Sequence, residues 1–260
     1  MTMTKDKKQI LLNMANLAKE RRKHKYWNDE NGLICYIRLN SDGFRLVSLE
    51  SDNPCGKIMG DHGKVLEKMS FEKAFEFLNK KGLRIDKPGN NKGEHRVQSF
   101  LINQAFSENG KRDMPGLLGC DNYFDELIFV DDELSIESSN INEDSIRVDM
   151  IFLGKKGEQY FPVFVELKAS RLATKLCDQL NNACALTSDC ADEFVGYLSA
   201  ATEVGVDNID YNKLRRIAIW PKGGDGELSP NALSDASDII IVGYKGDNYD
   251  NYIFEVEKYT

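Results

Sequence analysis

Metal-binding clusters of cysteine and histidine are missing from this 260-residue sequence. Its six cysteines (Cys35, Cys55, Cys120, Cys177, Cys184 and Cys190) are scattered without a Cys-x-x-Cys pair. The three histidines, His24, His62 and His95, stand at no zinc-type spacing from them. That pattern excludes the common zinc modules and leaves reduced, structural thiols as the expectation. Long apolar runs are missing too, since none approaches the roughly 20 residues that cross a bilayer. The opening Met1-Thr-Met-Thr-Lys-Asp-Lys-Lys8 has no apolar signal core, so a cytoplasmic location without a membrane partner is expected. Positive charge is in short supply, with 34 Lys and Arg against 42 Asp and Glu and a net charge of −8. Such a balance argues against nucleic acid bound over the whole surface. The glycines of Lys222-Gly-Gly-Asp-Gly-Glu227 lack the Lys-Ser/Thr ending of a phosphate loop, so no nucleotide cradle is expected.

The composition that is present, 41% hydrophobic and 29% charged, is that of a folded chain with a sizeable core. Its charge is uneven. Residues 1–25 carry eight cations against Asp6 and Glu20, a net of +6, which leaves −14 for the rest. Arg21, Arg22, Lys23 and Lys25 lie beside Tyr26 and Trp27, a mixture suited to phosphate contact and base stacking. A basic helix end that complements the helix dipole accounts for the same cations.

Hydrophobic spacing predicts a helix over 8–24, with Ile10, Met14, Leu17 and Ala18 on one face. Strands are predicted at 33–39 and 44–49, joined by the turn residues Asn40-Ser-Asp-Gly43. A further helix follows Ser70 and closes at Gly82. The breaker-rich Asp86-Lys-Pro-Gly-Asn-Asn-Lys-Gly93 marks a boundary. The expected organisation is a small N-terminal α+β subdomain over 1–88, a helix–hairpin–helix, and a second domain over 89–260. That second part reads as a helix at 94–106, strands at 123–130, 145–153 and 161–170, helices at 172–186 and 190–202, and strands at 216–220, 238–242 and 252–256. Such an order indicates an α/β or α+β layered sheet.

Chemistry is concentrated in Phe161-Pro-Val-Phe-Val-Glu-Leu-Lys-Ala-Ser170. Strand alternation puts Glu166, Lys168 and Phe164 on one side, and Val163, Val165 and Leu167 on the core-seeking other. Charge in so apolar a segment needs compensation, and a divalent cation is one compensator. Asp149 lies on the preceding strand. A hairpin across Gly154–Gln159, with Leu153 facing Tyr160, would set Asp149 opposite Phe164 and diagonal to Glu166, roughly 7–8 Å away at the backbone. Two carboxylates so placed can hold one cation. The same register sets Arg147 opposite Glu166, and a solvent-facing charge ladder on an edge hairpin is then the alternative. Lys155 and Lys156, at the hairpin tip, are candidate phosphate contacts or simple solubilising turn residues.

The succession of a Glu94-headed helix, a strand, Asp149 on a strand, Glu166-Leu-Lys168 on the next strand and a helix resembles the PD-(D/E)xK nuclease superfamily. The resemblance covers roughly residues 93–220. It implies a restriction-endonuclease-like mixed central sheet flanked by helices, and a Mg2+- or Mn2+-dependent phosphodiesterase. Carried onto this sequence, Asp149 and Glu166 are the metal ligands and Lys168 the motif lysine, with Glu94 joining them from the first core helix. The helix dipole alone also accounts for Glu94. Val148 stands where the motif has proline. Gln179 is similar to a glutamine some members place near the metal, but Ala183 replaces the tyrosine that accompanies it. DNA is the substrate the resemblance implies, in a prokaryotic restriction, antiviral-defence or DNA-processing role, with a protein partner or a homodimer as possible assemblies. Two rivals stay open: a catalytically silent nucleic-acid-binding or assembly subunit on the same fold, and an unrelated interaction protein with accidental charges.

Overall fold

The computed structural model describes residues 7–24, 26–28, 34–40, 43–49, 56–57, 73, 76, 94–136, 146–168, 173–222, 238–246 and 251–257. The chain begins with helix α1 (Lys7–Arg21) and a 3-10 turn (Arg22–His24), then strands β1 (Tyr26–Asn28), β2 (Ile34–Asn40), β3 (Gly43–Leu49) and β4 (Gly56–Lys57). Those four strands form a sheet in the order β1-β2-β3-β4. Asn40 pairs with Gly43, as the turn residues there predict. The helix expected after Ser70 and the boundary expected at 86–93 fall almost wholly outside the described residues.

The body follows with α2 (Glu94–Ala105), α3 (Gly110–Leu117), β5 (Glu126–Ile136), β6 (Ile146–Lys156) and β7 (Gln159–Leu167). Helices α4 (Ala173–Ser188) and α5 (Ala191–Thr202) lead to β8 (Arg215–Pro221), β9 (Ile239–Lys245) and β10 (Ile253–Val256). These six strands make one sheet in the order β10-β9-β8-β7-β6-β5. Strands β5, β6 and β7 run antiparallel. β8 lies parallel to β7 and β9 parallel to β8, and β10 closes the far edge antiparallel. A parallel neighbour needs a crossover connection, and α4 with α5 supplies it between β7 and β8. The mixed α/β architecture expected from element order is what the chain adopts.

Strand β7 is buried from Phe161 to Leu167, because helices cover both sheet faces. On one face Ile151, Leu153, Phe164, Ala218 and Ile241 pack with Leu176, Leu180 and Phe194 of α4 and α5. On the other, Val163, Val165, Leu167, Ile217 and Val242 pack with Val97 and Leu101 of α2 and Met114 of α3. Helix α1 belongs to the first layer: Ile10, Leu11, Met14 and Ala18 join the same buried cluster as Phe194, Tyr197 and Leu198. Its one-face spacing continues to Arg21, which is 8% exposed. Among the described residues no helix is long and apolar enough to cross a membrane.

Two details correct the expected hairpin. Lys156 pairs with Gln159 and Leu153 with Pro162, not with Tyr160. The turn is therefore only Gly157-Glu158, with Gly157 at φ 60°, a conformation that a two-residue hairpin demands and glycine adopts without penalty. Gly154 is a strand residue rather than part of the hairpin connection. A Cβ there would meet Val163 Cγ2 at 2.8 Å and the rings of Phe124 and Phe161 at 3.0 Å. Pro162 is tolerated because β8 pairs with β7 only from Val163 onward, so no ladder bond is lost on that side.

Candidate active site

The corrected register brings Asp149 and Glu166 level. Met150 pairs with Val165, and the next step along both strands is Asp149 beside Glu166, on one face. Both strands are interior to the sheet, since β5 flanks β6 and β8 flanks β7. An edge ladder of solvated charges is thereby excluded, and Arg147 moves out of line with Glu166. Leu167 N–H donates to Asp149 Oδ2 at 2.7 Å. Lys168 Nζ donates to Glu166 Oε1 at 2.6 Å, while Lys168 N–H holds Ile219 O at 2.9 Å. Glu166 is 1% exposed and Asp149 is half-buried.

Burial and then the charge of Asp149 push the Glu166 carboxyl up to about 7, against the hydrogen bond and charge of Lys168. At neutral pH the two carboxylates thus carry less than two full charges, because neighbouring anions resist joint ionisation. A hard divalent cation removes that conflict. Two carboxylates with hard oxygen donors fit Mg2+ or Mn2+, which take one or two carboxylates and keep several waters. Among the described residues, no group of three or more His, Cys, Asp and Glu side chains comes together to hold a metal. Among the described residues, Asp149 and Glu166 are the carboxylates that stand level on β6 and β7.

Glu94 heads α2, and its charge bears on Tyr244 of β9, whose hydroxyl is pushed up to about 12, chiefly by burial. In the sheet β9 is two strands from β7. One turn after Glu94, Gln98 of α2 is hydrogen-bonded at Asp149. It is 3% exposed and donates from Nε2 to Asp149 O at 2.9 Å.

The expected nucleic-acid contacts are dispersed. Arg21 is a correction: its guanidinium is buried and donates to Asp131 Oδ2 (2.8 Å), Ile37 O (3.1 Å) and Val130 O (2.7 Å). Burial works against that charge, but Asp131 and Tyr197 raise the Arg21 pKa above its ordinary value. Its place seven residues after Met14 and three after Ala18, on the apolar face, was a legible sign of inward orientation. Arg22 pairs with Glu203 at 3.3 Å and Lys23 with Glu20 at 3.1 Å. Lys25 lies outside the described residues. Lys155 sits over the Tyr160 ring at 5.5 Å, and Lys156 holds Asp125 at 2.9 Å. Six residues of strand separate Lys155 from Asp149, roughly 20 Å at about 3.3 Å per residue, so the hairpin tip is remote from the carboxylate pair. Gln179 is half-buried on α4. Of the thiols, Cys120 and Cys190 are buried and Cys184 is partly so.

Sequence reasoning passed over Asp131 and Asp132, both 0% exposed, although consecutive acids after Leu127-Ile-Phe-Val130 are an anomaly worth notice. The strand bulges between Phe129 and Asp131, and Glu133 adopts φ 51°. Asp131 accepts from Arg21, from Tyr197 Oη at 2.9 Å, from Leu39 N–H at 3.3 Å and from Asp132 N–H at 3.0 Å. Asp132 takes Arg38 Nε at 2.9 Å and a second bond from the same guanidinium. No family model matches the chain, and no curated protein matches its sequence.

Proposed function

We propose that the chain is a metal-dependent nuclease of the PD-(D/E)xK type, hydrolysing phosphodiester bonds of DNA. The observation that carries this reading is the level pair Asp149 and Glu166 on interior strands, with Lys168 hydrogen-bonded to Glu166. The order α2, three antiparallel strands, a helical crossover and a parallel strand supports it, because the resemblance implies such a sheet. Asp149 and Glu166 would hold Mg2+ or Mn2+, and Leu167 N–H fixes the Asp149 carboxylate for that purpose. When bound, such an ion would supply an acidified water and charge neutralisation at the scissile phosphate. Lys168 presents an ammonium on the same face, where it stabilises negative charge developing on phosphate oxygens. Burial of Glu166 strengthens each of these interactions. Lys23 and Lys25 remain as candidate DNA contacts beyond the site. A role in restriction, antiviral defence or DNA processing, with a protein partner or as a homodimer, belongs to the same proposal.

A second reading, a non-cutting DNA-binding or assembly subunit on this fold, draws on the −14 charge outside the first 25 residues and on the internal pairing of Arg21 and Arg22. Incubation of plasmid, linear duplex and single-stranded DNA with Mg2+ or Mn2+ separates the two. Wild type is expected to cut, Glu166→Gln to fall to background, and Lys168→Ala to lose cutting while still binding Mn2+. Equal cutting by all three would assign the activity to a contaminant. DNA binding without cutting under either metal would establish the second reading.

A further inference from the structure

The hydrogen bonds around Asp149 extend past the carboxylate pair into the N-terminal sheet. We infer that Gln98 is a positioning residue for Asp149, and that Arg38 of β2 sets the orientation in which Gln98 does so; this rests on the function proposed above. The register of β5 and β6 runs Asp132↔Met150 and Leu134↔Val148 and skips the step between. Glu133, in left-handed conformation, and Asp149 occupy that skipped step. Where the ladder is interrupted, the Gln98 amide donates to Asp149 O at 2.9 Å.

The same Nε2 lies 3.4 Å from Asp132 Oδ2 and 3.5 Å from Glu133 Oε1. Three acceptors converge on one NH2 group, which can only be met with the donor end of the amide. Asp132 is held in that place by the two bonds from Arg38. Asp149 is therefore fixed twice, at its carbonyl by Gln98 and at its carboxylate by Leu167 N–H. A site of this kind is sensitive to displacements on the order of 1 Å, and removing a group that orients a metal ligand typically weakens metal binding about 10- to 100-fold.

The test is Mn2+ affinity, measured by calorimetry on the full chain with and without duplex DNA. The variants are Gln98→Met, which keeps length and loses the donor, Gln98→Glu, which presents an acceptor to three acceptors, and Arg38→Ala. Glu166→Gln tests the underlying site. Met114→Ala, on the buried face of α3, controls for general destabilisation. Each is measured where circular dichroism shows it folded. Mn2+ binding is expected to weaken at least about 10-fold in Gln98→Met, further in Gln98→Glu and measurably in Arg38→Ala, with Met114→Ala like wild type. In cleavage, kcat falls while KM for DNA holds. If Gln98→Met binds Mn2+ as wild type does while Glu166→Gln does not, the positioning role is refuted and the proposed function stands. If wild type takes up no Mn2+ with or without DNA, or Glu166→Gln binds it equally well, the proposed function falls and this inference with it.

Discussion

Glu166 couples the candidate site to the stability of the fold. Its carboxyl, at about 7, lies above the ordinary value near 4.3 that it has in the unfolded chain. The folded state therefore binds more protons than the unfolded one between these values. The stabilisation from a protonated Glu166 is complete below about 4.3 and is lost as pH rises through about 7, up to about 4 kcal/mol at the limit. In urea titrations of the metal-free protein, Glu166→Gln is expected to gain relative to wild type between pH 5 and pH 8. A difference independent of pH would show that Glu166 is not perturbed. Arg21 gives the opposite lesson. Arg21→Met leaves the Asp131 carboxyl buried without its guanidinium partner, and is expected to cost about 3–5 kcal/mol. Adding Asp131→Leu is expected to bring the double variant well below the sum of the two single losses in a urea-denaturation cycle. Simple additivity would contradict a direct Arg21–Asp131 interaction.

At the scale of elements, the strands that matter were legible. Strict alternation around Glu166 and Lys168 gave their common face, and the apolar character of 145–153 and 161–170 gave both strands. Register was not legible, because Gly154 reads as the start of the hairpin connection while its actual constraint is Val163 and the rings of Phe124 and Phe161. Strand β5 was placed three residues early at its start and six at its end, since Asp131-Asp-Glu133 reads as a terminus until Arg21 and Arg38 arrive from far away in sequence. Helix α3 was missed because Pro115 and Gly116 argue locally against it. The helix begins at Gly110, packed against the last turn of α2, where an added Cβ would meet Gln104 O at 2.4 Å and Ala105 O at 2.5 Å. Gly110→Ala is thus expected to destabilise by roughly 1–3 kcal/mol through forced backbone displacement. Thermal unfolding checks it, and an unchanged midpoint would mean the α2–α3 junction yields freely. The carboxylate pair was legible, whereas Gln98 was not, because its role depends on a skipped step in the β5–β6 ladder and a helix crossing that no local pattern encodes.

For the whole molecule, the N-terminal helix is part of the core it was expected to precede. Leu11 and Met14 are 0% exposed within the cluster that contains Phe194 and Tyr197, and Arg21 neutralises Asp131 beneath them. A chain comprising only residues 89–260 would expose that layer and leave Asp131 and Asp132 without their guanidinium partners. It is expected to lack a cooperative urea transition, and to regain one when residues 1–88 are supplied in trans. A stable, cooperative 89–260 fragment would show that the division near residue 88 separates two independent folding units.

The tie among Arg21, Asp131 and Tyr197 also fixes an order of events in time. Arg21 and Asp131 are 110 residues apart and Asp131 and Tyr197 are 66 apart. As the polypeptide leaves the ribosome, the first helix must wait with part of its apolar side uncovered until α5 has been made. Structure dominated by such distant pairings forms slowly. In pulse-labelled hydrogen exchange during refolding, amides of α1 are expected to gain protection together with those of α5, and later than those of the β6–β7 hairpin. Early protection of α1 alone would contradict this order. Helix α1 is thus among the last elements to be finished.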